Sequence, residues 1–310
     1  MLRFAWLPLL TGCVVDYVVQ SKPPEPAEID SDLPIVPDDA GDPPIDTAAD
    51  APEAPIEPEA TDALPEPPED DCAVTSDLIY LLSRDDQGLY LFDPATFDVR
   101  RLGSLDCTPW AQPASMGVAR DGRAYVRMSD DSVWSVDLTT LRCAQTGYRP
   151  GRTAFGAFGM GFATDQAGGW QEHLYVANGR DLARLDTATW RVDTIGRVPS
   201  QPELTGDASG ALWALLPLEV PAELRQLDKA TGRAVQTRQL RGFPAPLDID
   251  TFAFAAWGGE HWLFVRTYGL GHTTDVYRVD VAGRMTVERR DVGVDVVGAG
   301  SSTCAPTAAP

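Results

Sequence analysis

The chain has 310 residues, 44% of them hydrophobic, and a formal net charge of −21 from 25 basic and 46 acidic residues. Residues 21–71 alone contain 17 acidic residues, one lysine and 13 of the 26 prolines, whereas residues 72–310 have a net charge of only −5. This distribution offers no basic face to neutralise phosphates, which argues against nucleic acid as a partner. It also divides the chain into a short start, an acidic proline-rich segment and a region of about 240 residues that can bury one core.

The first 13 residues have the pattern of an export signal. Arg3 precedes the short apolar run of residues 4–10, which is far shorter than the roughly 20 residues that cross a bilayer. The sequence Leu10-Thr11-Gly12-Cys13 resembles the lipobox of bacterial lipoproteins, and this resemblance implies cleavage before Cys13 and acylation of its thiol. We therefore expect residues 1–12 to be a lipoprotein signal peptide. The alternative is an ordinary secretory signal with an incidental cysteine.

Residues 13–71 are expected to form a lipidated N-terminus followed by a disordered acidic linker. Residues 21–71 combine low hydrophobicity, like charges and frequent proline, so they cannot bury a core. Fully extended, such a stalk could reach on the order of 150 Å from the membrane. Loose cation binding is the alternative, but no EF-hand spacing occurs. Val14, not Asp, follows Cys13, which by the same resemblance favours the outer over the inner membrane.

Residues 72–310 contain an internal repeat. Five segments with alternating apolar and polar residues end in an aspartate followed by turn-forming residues: Asp93, Asp137, Asp186, Asp228 and Asp280. Alternation of this kind predicts half-buried strands. An aspartate at this point predicts a tight turn in which the carboxylate accepts backbone N–H groups. We interpret the five aspartates as turn formers rather than catalytic residues.

The repeat predicts an all-β fold of the β-propeller type. An apolar strand precedes each aspartate strand, and four of the five units begin with a further strand rich in small residues. The first unit lacks this strand, and residues 295–300 supply a match near the end of the chain. We therefore expect five four-stranded blades, with the ring closed by the C-terminal strand. A sixth blade would have to fit into residues 144–160, which is too short a segment.

Four cysteines follow Cys13, namely Cys72, Cys107, Cys143 and Cys304. An even number in an exported chain predicts disulfides. Ring closure would bring Cys72 close to Cys304, which leaves Cys107 to pair with Cys143, although the other connectivities stay open. There is no CxxC sequence and no zinc-type spacing, so we expect no metal and no cofactor.

Aromatic residues in two loops between blades are candidates for ligand binding. Trp110 follows a Thr-Pro pair, and a glycine-spaced stretch contains Arg152, Phe155 and Phe158. The rings could stack on a sugar or a peptide, and Arg152 could contact an anion. Alternatively, Phe155 and Phe158 fill a narrow axis and have no ligand.

Sequence signatures of hydrolases and phosphoryl-transfer enzymes are absent from the chain. Three carboxylates, Glu203, Asp250 and Asp295, flank the predicted inner strands. Glycoside hydrolases use pairs of carboxylates, so an enzyme that acts on carbohydrates through axial carboxylates is the alternative function. That hypothesis requires two or three of these side chains to converge at one mouth of the ring.

Several segments together resemble uncharacterised β-propeller lipoproteins of Gram-negative bacteria. They are the lipobox, the acidic stalk, FGMGF at 158–162, ELTGDASG at 203–210, WGG at 257–259 and VVGAGSSTCAP at 296–306. The resemblance implies a fold and a lipid-anchored location, but no activity and no functional residues. We therefore expect a monomeric, non-enzymatic binding or scaffolding module. Its partners would be the bilayer, through acylated Cys13, and an envelope protein or glycan.

Overall fold

The computed structural model describes residue 72 and residues 77–150, 155–269 and 271–308. Twenty strands form five antiparallel sheets of four strands each. Blade 1 contains β1 (Ile79–Ser83), β2 (Gly88–Phe92), β3 (Val99–Ser104) and the C-terminal β20 (Val296–Gly300). Blade 2 contains β4 (Pro113–Val118), β5 (Arg123–Met128), β6 (Val133–Asp137) and β7 (Cys143–Gln145).

The other three blades follow in chain order. Blade 3 contains β8 (Gly159–Thr164), β9 (Glu172–Ala177), β10 (Asp181–Leu185) and β11 (Val192–Arg197). Blade 4 contains β12 (Glu203–Gly206), β13 (Leu212–Leu216), β14 (Glu223–Leu227) and β15 (Ala234–Gln239). A short 3-10 helix (Pro246–Asp248) precedes blade 5, which contains β16 (Ile249–Trp257), β17 (Glu260–Thr267), β18 (Asp275–Val279) and β19 (Met285–Arg289).

The five sheets form a closed ring, as the sequence predicts. Strands β20, β4, β8, β12 and β16 are the innermost of their blades, and each contacts the inner strands of both neighbouring blades. β20 pairs antiparallel with β1, with Leu81 opposite Ala299, so the end of the chain completes the first blade. The fold is a five-bladed β-propeller, and the predictions of blade number and ring closure are confirmed.

Small residues in the inner strands have a steric cause. A Cβ atom on Gly161 would lie 2.6 Å from the carbonyl oxygen of Leu204 in the next inner strand. In the opposite direction, a Cβ on Gly206 would collide with the carbonyl oxygen of Phe162. Neighbouring backbones approach too closely for side chains there, which is why glycine is needed. Larger apolar side chains pack further out between blades, where the Phe92 ring lies 5.3 Å from that of Phe264.

Each predicted aspartate turn is present between the third and fourth strands of its blade. In the first, Asp93 Oδ1 accepts the N–H of Ala95 at 2.8 Å. In the fourth, Asp228 Oδ1 accepts the N–H of Thr231 at 2.8 Å. Equivalent backbone contacts occur at Asp137, Asp186 and Asp280. These carboxylates satisfy N–H groups that the tight turn would otherwise leave unpaired, so the turn-forming interpretation is confirmed.

Both predicted disulfides are present. Cys72 pairs with Cys304, with a Cα–Cα distance of 5.6 Å, and Cys107 pairs with Cys143 at 4.9 Å. The first disulfide connects the residues that flank the ring-closing blade. The second connects the end of blade 1 to the outermost strand of blade 2.

The chain that follows β20 crosses one end of the ring, which we call the lower mouth. The hydroxyl of Ser301 donates to the carbonyl oxygen of Ala256 in blade 5. Two residues later, the Thr303 hydroxyl donates to Glu172 Oε2 in blade 3 at 2.6 Å. Because the tail contacts blades on different sides of the axis and Thr303 is fully buried, it covers the lower mouth. Within the described residues, no helix has the length and apolar character needed to span a membrane.

Candidate functional site

The opposite end of the ring, the upper mouth, brings together the first residues of the inner strands. Glu203 is the first residue of β12, Asp250 is the second residue of β16, and Asp295 immediately precedes β20. Because the inner strands all begin at this mouth, the three carboxylates proposed from the sequence surround one axis. This is the convergence that the enzyme hypothesis requires.

A cavity of about 290 Å³ lies at the upper mouth. Its size is at the lower limit of the roughly 300–1,000 Å³ of small-molecule sites. Three of the five inner strands contribute their first residues to its wall, and the other two, β16 and β20, contribute their second. The lining includes charged, polar and apolar side chains: Arg84, Gln112, Pro113, Ala114, Arg127, Ser129, Phe158, Gly159, Gln201, Pro202, Glu203, Asp250, Thr251, Phe252 and Val297.

Two arginines bridge the two aspartates at this mouth. Arg84 Nη2 lies 2.9 Å from Asp250 Oδ2 and 3.1 Å from Asp295 Oδ2. Arg266 Nη1 lies 2.5 Å and 2.9 Å from the same two oxygens. We call these four residues the charge cluster. Arg84 directly follows β1 and Arg266 lies near the end of β17, so each arginine comes from a second strand where it reaches the upper face.

The pKa values of the two aspartates of the charge cluster are shifted in opposite directions. Hydrogen bonding from Arg84 lowers the pKa of Asp250 below its ordinary value. Burial raises the pKa of Asp295, and the nearby charge of Asp85 raises it further. Burial outweighs ion pairing only at Asp295, whose side chain is 4% exposed, whereas that of Asp250 is 18% exposed.

Glu203 is a buried carboxyl group in the wall of the same cavity. Ser115 Oγ donates to its Oε2 at 2.9 Å and accepts the N–H of Met160 at 3.2 Å. Burial raises the pKa of Glu203 to about 8, against the opposing effect of the Ser115 hydrogen bond. At neutral pH this group is therefore mainly a neutral acid, which can donate as well as accept a hydrogen bond.

A third arginine is held within the wall. Arg127 Nε donates to the carbonyl oxygen of Phe158 at 2.7 Å, and its Nη1 lies 3.3 Å from Asp131 Oδ1. The guanidinium carbon lies 5.7 Å from the centre of the Phe158 ring. Each arginine around the cavity is thus paired with carboxylate charge. With Glu203 neutral, the formal charges of these residues cancel.

Two side-chain oxygens at this mouth are buried without a hydrogen-bond partner. They are Oγ1 of Thr251, a residue of the cavity wall, and Oδ1 of Asp295 in the charge cluster. A buried polar atom without a partner costs about 1–3 kcal/mol. Both atoms are covered by the protein, so a ligand could bond to them only after a local movement of the wall.

Exposed apolar side chains surround the upper mouth. Trp110 is 90% exposed in the β3–β4 loop, Leu247 is 92% exposed just before β16, and Tyr268 is 68% exposed in the β17–β18 loop. Trp110 lies two residues before Gln112 of the cavity wall, and Tyr268 lies two residues after Arg266. Leu218 and Val220 are exposed in the β13–β14 loop of the same face. Large exposed side chains of this kind are typical of contact surfaces.

The aromatic candidates from the sequence have different environments. Trp110 is exposed, as a stacking residue must be. Phe155 is 3% exposed and packs with its ring centre 5.8 Å from that of Phe158, so a ligand cannot reach it in this structure. Phe158 is also buried, although it contributes to the cavity wall. Arg152 and Cys13 lie outside the described residues.

The sequence did not single out Arg84, Arg266, Ser115 or Thr251. A weak signal exists for the arginines, since each is a charged residue at the upper end of an otherwise apolar second strand. No signal marks the other two, because serine and threonine are ordinary residues of a strand. Among the described residues there is no group of three or more His, Cys, Asp or Glu side chains that could hold a metal ion.

A second cavity, of about 520 Å³, lies on the lower face between blades 2 and 3. Glu172 contributes to its wall and is half-buried, with Oε1 accepting the N–H of Arg120 at 2.8 Å and Oε2 accepting from Thr303. Burial raises the pKa of Glu172 to about 7. Both carboxylate oxygens are thus bonded within the protein, one of them to the tail, which indicates a structural role.

Comparisons with known proteins show no family for this chain. No protein-family model matches the chain, and no curated protein matches it. A protein of unknown function from Bacteroides caccae superposes with a TM-score of 0.41 and 8% identity, covering 73% of this chain and 98% of that one. An auxiliary nutrient binding protein from Bacteroides thetaiotaomicron superposes with a TM-score of 0.39 and 12% identity, covering 69% and 54%.

A third solved structure is an exo-β-1,3-galactanase from Phanerochaete chrysosporium, bound to β-1,3-galactotriose. It superposes with a TM-score of 0.38 and 8% identity, covering 57% of this chain and 49% of that one. This chain therefore spans about half the length of the nutrient binding protein and of the galactanase. Identities and scores this low do not bear on function.

Proposed function

We propose that this protein is a lipid-anchored, exported binding module that holds a component of the cell envelope at the upper mouth of its propeller. The observation that carries the proposal is the cavity at this mouth, which is lined by charged and polar side chains and lies on the face whose loops carry the exposed Trp110 and Tyr268. Ligand sites usually lie in cavities where a few polar groups converge and where some side chains have shifted pKa values.

The ring is held closed, which supports a binding function rather than one that requires a conformational change. The closing strand is joined to the start of the domain by the Cys72–Cys304 disulfide, and the tail covers the lower mouth. A ligand would therefore meet side chains that packing and ion pairs already hold in place. Such preorganisation reduces the entropy lost on binding.

The anchoring part of the proposal rests on the sequence. The lipobox-like residues 10–13 and the acidic stalk lie outside the described residues, and together they would place the ring at a distance from an acylated Cys13. The outer membrane is the proposed location.

The anchor is tested with Cys13→Ala in the full chain, and Ser21→Ala serves as the matched control. We expect Cys13→Ala to lose incorporation of labelled palmitate and to leave the membrane fraction, whereas Ser21→Ala keeps both properties. Unchanged membrane partitioning of Cys13→Ala would refute lipid anchoring and would leave binding at the mouth untouched.

Binding at the upper mouth is tested by filling the cavity. Ala114 lies in the cavity wall outside the charge cluster, so Ala114→Trp should occupy the space without removing an ion pair. Ala230, exposed in a turn of the lower face, provides the control Ala230→Trp. We expect purified full-length protein to be retained on immobilised envelope material, and Ala114→Trp alone to lose this retention. Equal retention of both variants would overturn binding at this mouth.

Catalysis on carbohydrates is the second candidate, and one observation favours it. Glu203 and Asp250 line the same cavity, and their pKa values are shifted in opposite directions. A neutral acid beside an ionised carboxylate is the arrangement that glycoside hydrolysis uses. Ion pairing of Asp250 with two arginines opposes this function, because it stabilises the carboxylate against reaction.

Incubation of the full chain with aryl β-glycosides tests catalysis directly. An enzyme would be established if the protein releases the aryl alcohol and if the rate of release falls by at least a hundredfold in Glu203→Gln and in Asp250→Asn. No release above that of Ala230→Trp and of a buffer blank would reject catalysis on these glycosides.

A further inference from the structure

The paired arginines and aspartates of the upper mouth balance one another, with the exposed Asp85 as one further acid beside Arg84, and this pairing limits the ligand. Arg84 and Arg266 face two aspartates, and Arg127 faces Asp131. A free phosphate or sulfate would have to displace a carboxylate from an arginine, and a cation would have to displace an arginine from a carboxylate. Neither exchange adds net attraction, so the mouth does not favour a ligand of one charge sign.

Donors and acceptors alternate around the cavity. The guanidinium of Arg84 provides donors, and the carboxylate of Asp250 provides acceptors. Glu203, neutral because it is buried, and the side-chain amide of Gln112 in the wall can each donate and accept. Hydroxyl groups have the same double capacity. A ligand with several hydroxyl groups can therefore satisfy this wall without carrying a charge.

Loops of the same face carry exposed aromatic side chains outside the cavity wall itself. Trp110 and Tyr268 are exposed on loops that lead directly into the cavity wall and the charge cluster. An aromatic face packs well against the C–H face of a sugar ring, while the hydroxyl groups at the edge of the ring remain free for hydrogen bonds. The cavity volume of about 290 Å³ gives room for a single ring rather than a chain.

We infer that the upper mouth binds an uncharged sugar unit, with its hydroxyl groups in the cavity and one face against Trp110 or Tyr268. This inference rests on the proposed binding function and specifies its ligand class. It predicts that an envelope glycan presents a neutral sugar to this mouth.

Titration of the full-length protein with single sugars tests the inference. The neutral probes are D-glucose, D-galactose, D-mannose and N-acetyl-D-glucosamine, and the charged probes are D-glucuronate and inorganic phosphate. We expect saturable binding of at least one neutral sugar by ligand-observed NMR or calorimetry, and weaker binding of both charged probes. Tighter binding of glucuronate or phosphate, or no binding of any neutral probe, would overturn the inference.

Two variants with matched controls locate the site. Trp110→Ala removes an exposed ring and Thr251→Val replaces the unpartnered hydroxyl at constant shape, so both should fold. The controls, Val235→Ala and Thr237→Val, make similar changes at exposed positions of β15 in blade 4. We expect the first pair to weaken sugar binding about tenfold, which is about 1.4 kcal/mol, and the controls to leave it unchanged. Equal affinity in all four variants excludes the mouth as the sugar site.

The inference and the proposed function can fail separately. A protein ligand would be identified by three results together. Ala114→Trp abolishes retention on envelope material, protease treatment of the material also abolishes it, and neutral sugars do not compete with it. That result would reject the sugar while upholding binding at the mouth. Sugar binding without retention on envelope material would reject the envelope ligand and uphold the sugar site.

Discussion

The two mouths of the ring are built from opposite ends of the same five inner strands, yet they differ in how their polar groups are satisfied. At the lower mouth, Glu172 has both carboxylate oxygens bonded, one to Arg120 and one to Thr303 of the tail. At the upper mouth, Oγ1 of Thr251 and Oδ1 of Asp295 have no partner, and on the lower face Nδ1 of the buried His261 has none either. The larger difference is that the tail covers the lower mouth, whereas a cavity lined by charged and polar side chains opens at the upper mouth.

The largest expected loss of stability comes from removing the disulfide at the lower mouth. The Cys72–Cys304 disulfide spans 232 residues, so removing it by the double substitution Cys72→Ser with Cys304→Ser should lower the free energy of unfolding by about 5 kcal/mol. Chemical denaturation under non-reducing conditions measures this loss.

The second disulfide provides the control for this measurement. The pair Cys107→Ser with Cys143→Ser opens a loop of only 36 residues and should cost about 1–2 kcal/mol less. A larger loss from the Cys107–Cys143 pair would contradict the assignment of the lower mouth as the point where the ring is fastened.

The next effect compares the pH dependence of stability at Glu203, which is buried, and at Glu172, which is half-buried. Their folded pKa values, about 8 for Glu203 and about 7 for Glu172, lie above the ordinary 4.5. Folding therefore favours the protonated forms, and the stability they contribute is complete below pH 4.5. It is lost as the pH rises to about 8 for the first and about 7 for the second. On the scale of about 1.4 kcal/mol per pKa unit, the loss is on the order of 5 kcal/mol for Glu203 and 3 kcal/mol for Glu172.

Glutamine variants separate these two contributions. Glu203→Gln should flatten the fall in unfolding free energy between pH 5 and 8, and Glu172→Gln should flatten it only up to about pH 7. Denaturation curves at several pH values measure both slopes. A stability that rises across this range in the parent protein and is unaffected by either variant would contradict the burial of these groups.

A moderate effect is expected at the charge cluster. Arg84→Met removes one of two arginines from Asp295 and Asp250, and Arg266 remains to compensate in part. Unfolding free energy should fall by about 1–3 kcal/mol, less than the 3–5 kcal/mol of a buried pair that loses its only partner. Arg180→Met, at an exposed position beside Asp181, is the control and should change stability by less than about 0.5 kcal/mol. An equal loss of unfolding free energy in Arg84→Met and Arg180→Met would show that the ion pairs of the charge cluster stabilise the fold no more than an exposed pair does.

The smallest effect concerns the repeated turns. Asp228→Ala removes hydrogen bonds to the N–H groups of Ala230 and Thr231 and should cost about 1 kcal/mol, measured by denaturation. The same change at Asp186, which makes the equivalent contacts in blade 3, should cost a similar amount. The exposed control Gln236→Ala should have almost no effect. Unequal losses at the two aspartates would mean that the turns are not equivalent units.

Much of the fold could be predicted because each part of it leaves a local pattern. Alternating residues that end in Asp93 or Asp228 mark a strand and its turn, and the small residues of 204–210 mark an inner strand. The match between residues 295–300 and the missing first strand was sufficient to predict ring closure. The site could be predicted only in part. Its carboxylates were found because they flank inner strands, but nothing local connects Arg84 with Asp250, which are 166 residues apart.

The sequence by itself determined the repeat, the number of blades and the order in which the chain closes the ring, because periodicity and turn chemistry act over a few residues. It also placed most of the charge of −21 in the segment before the ring. Only the tertiary structure decided which charges neutralise one another, that Glu203 is buried and Trp110 is not, and which mouth remains open. Burial and ion pairing depend on distances between blades, and these distances exist only after the ring has closed.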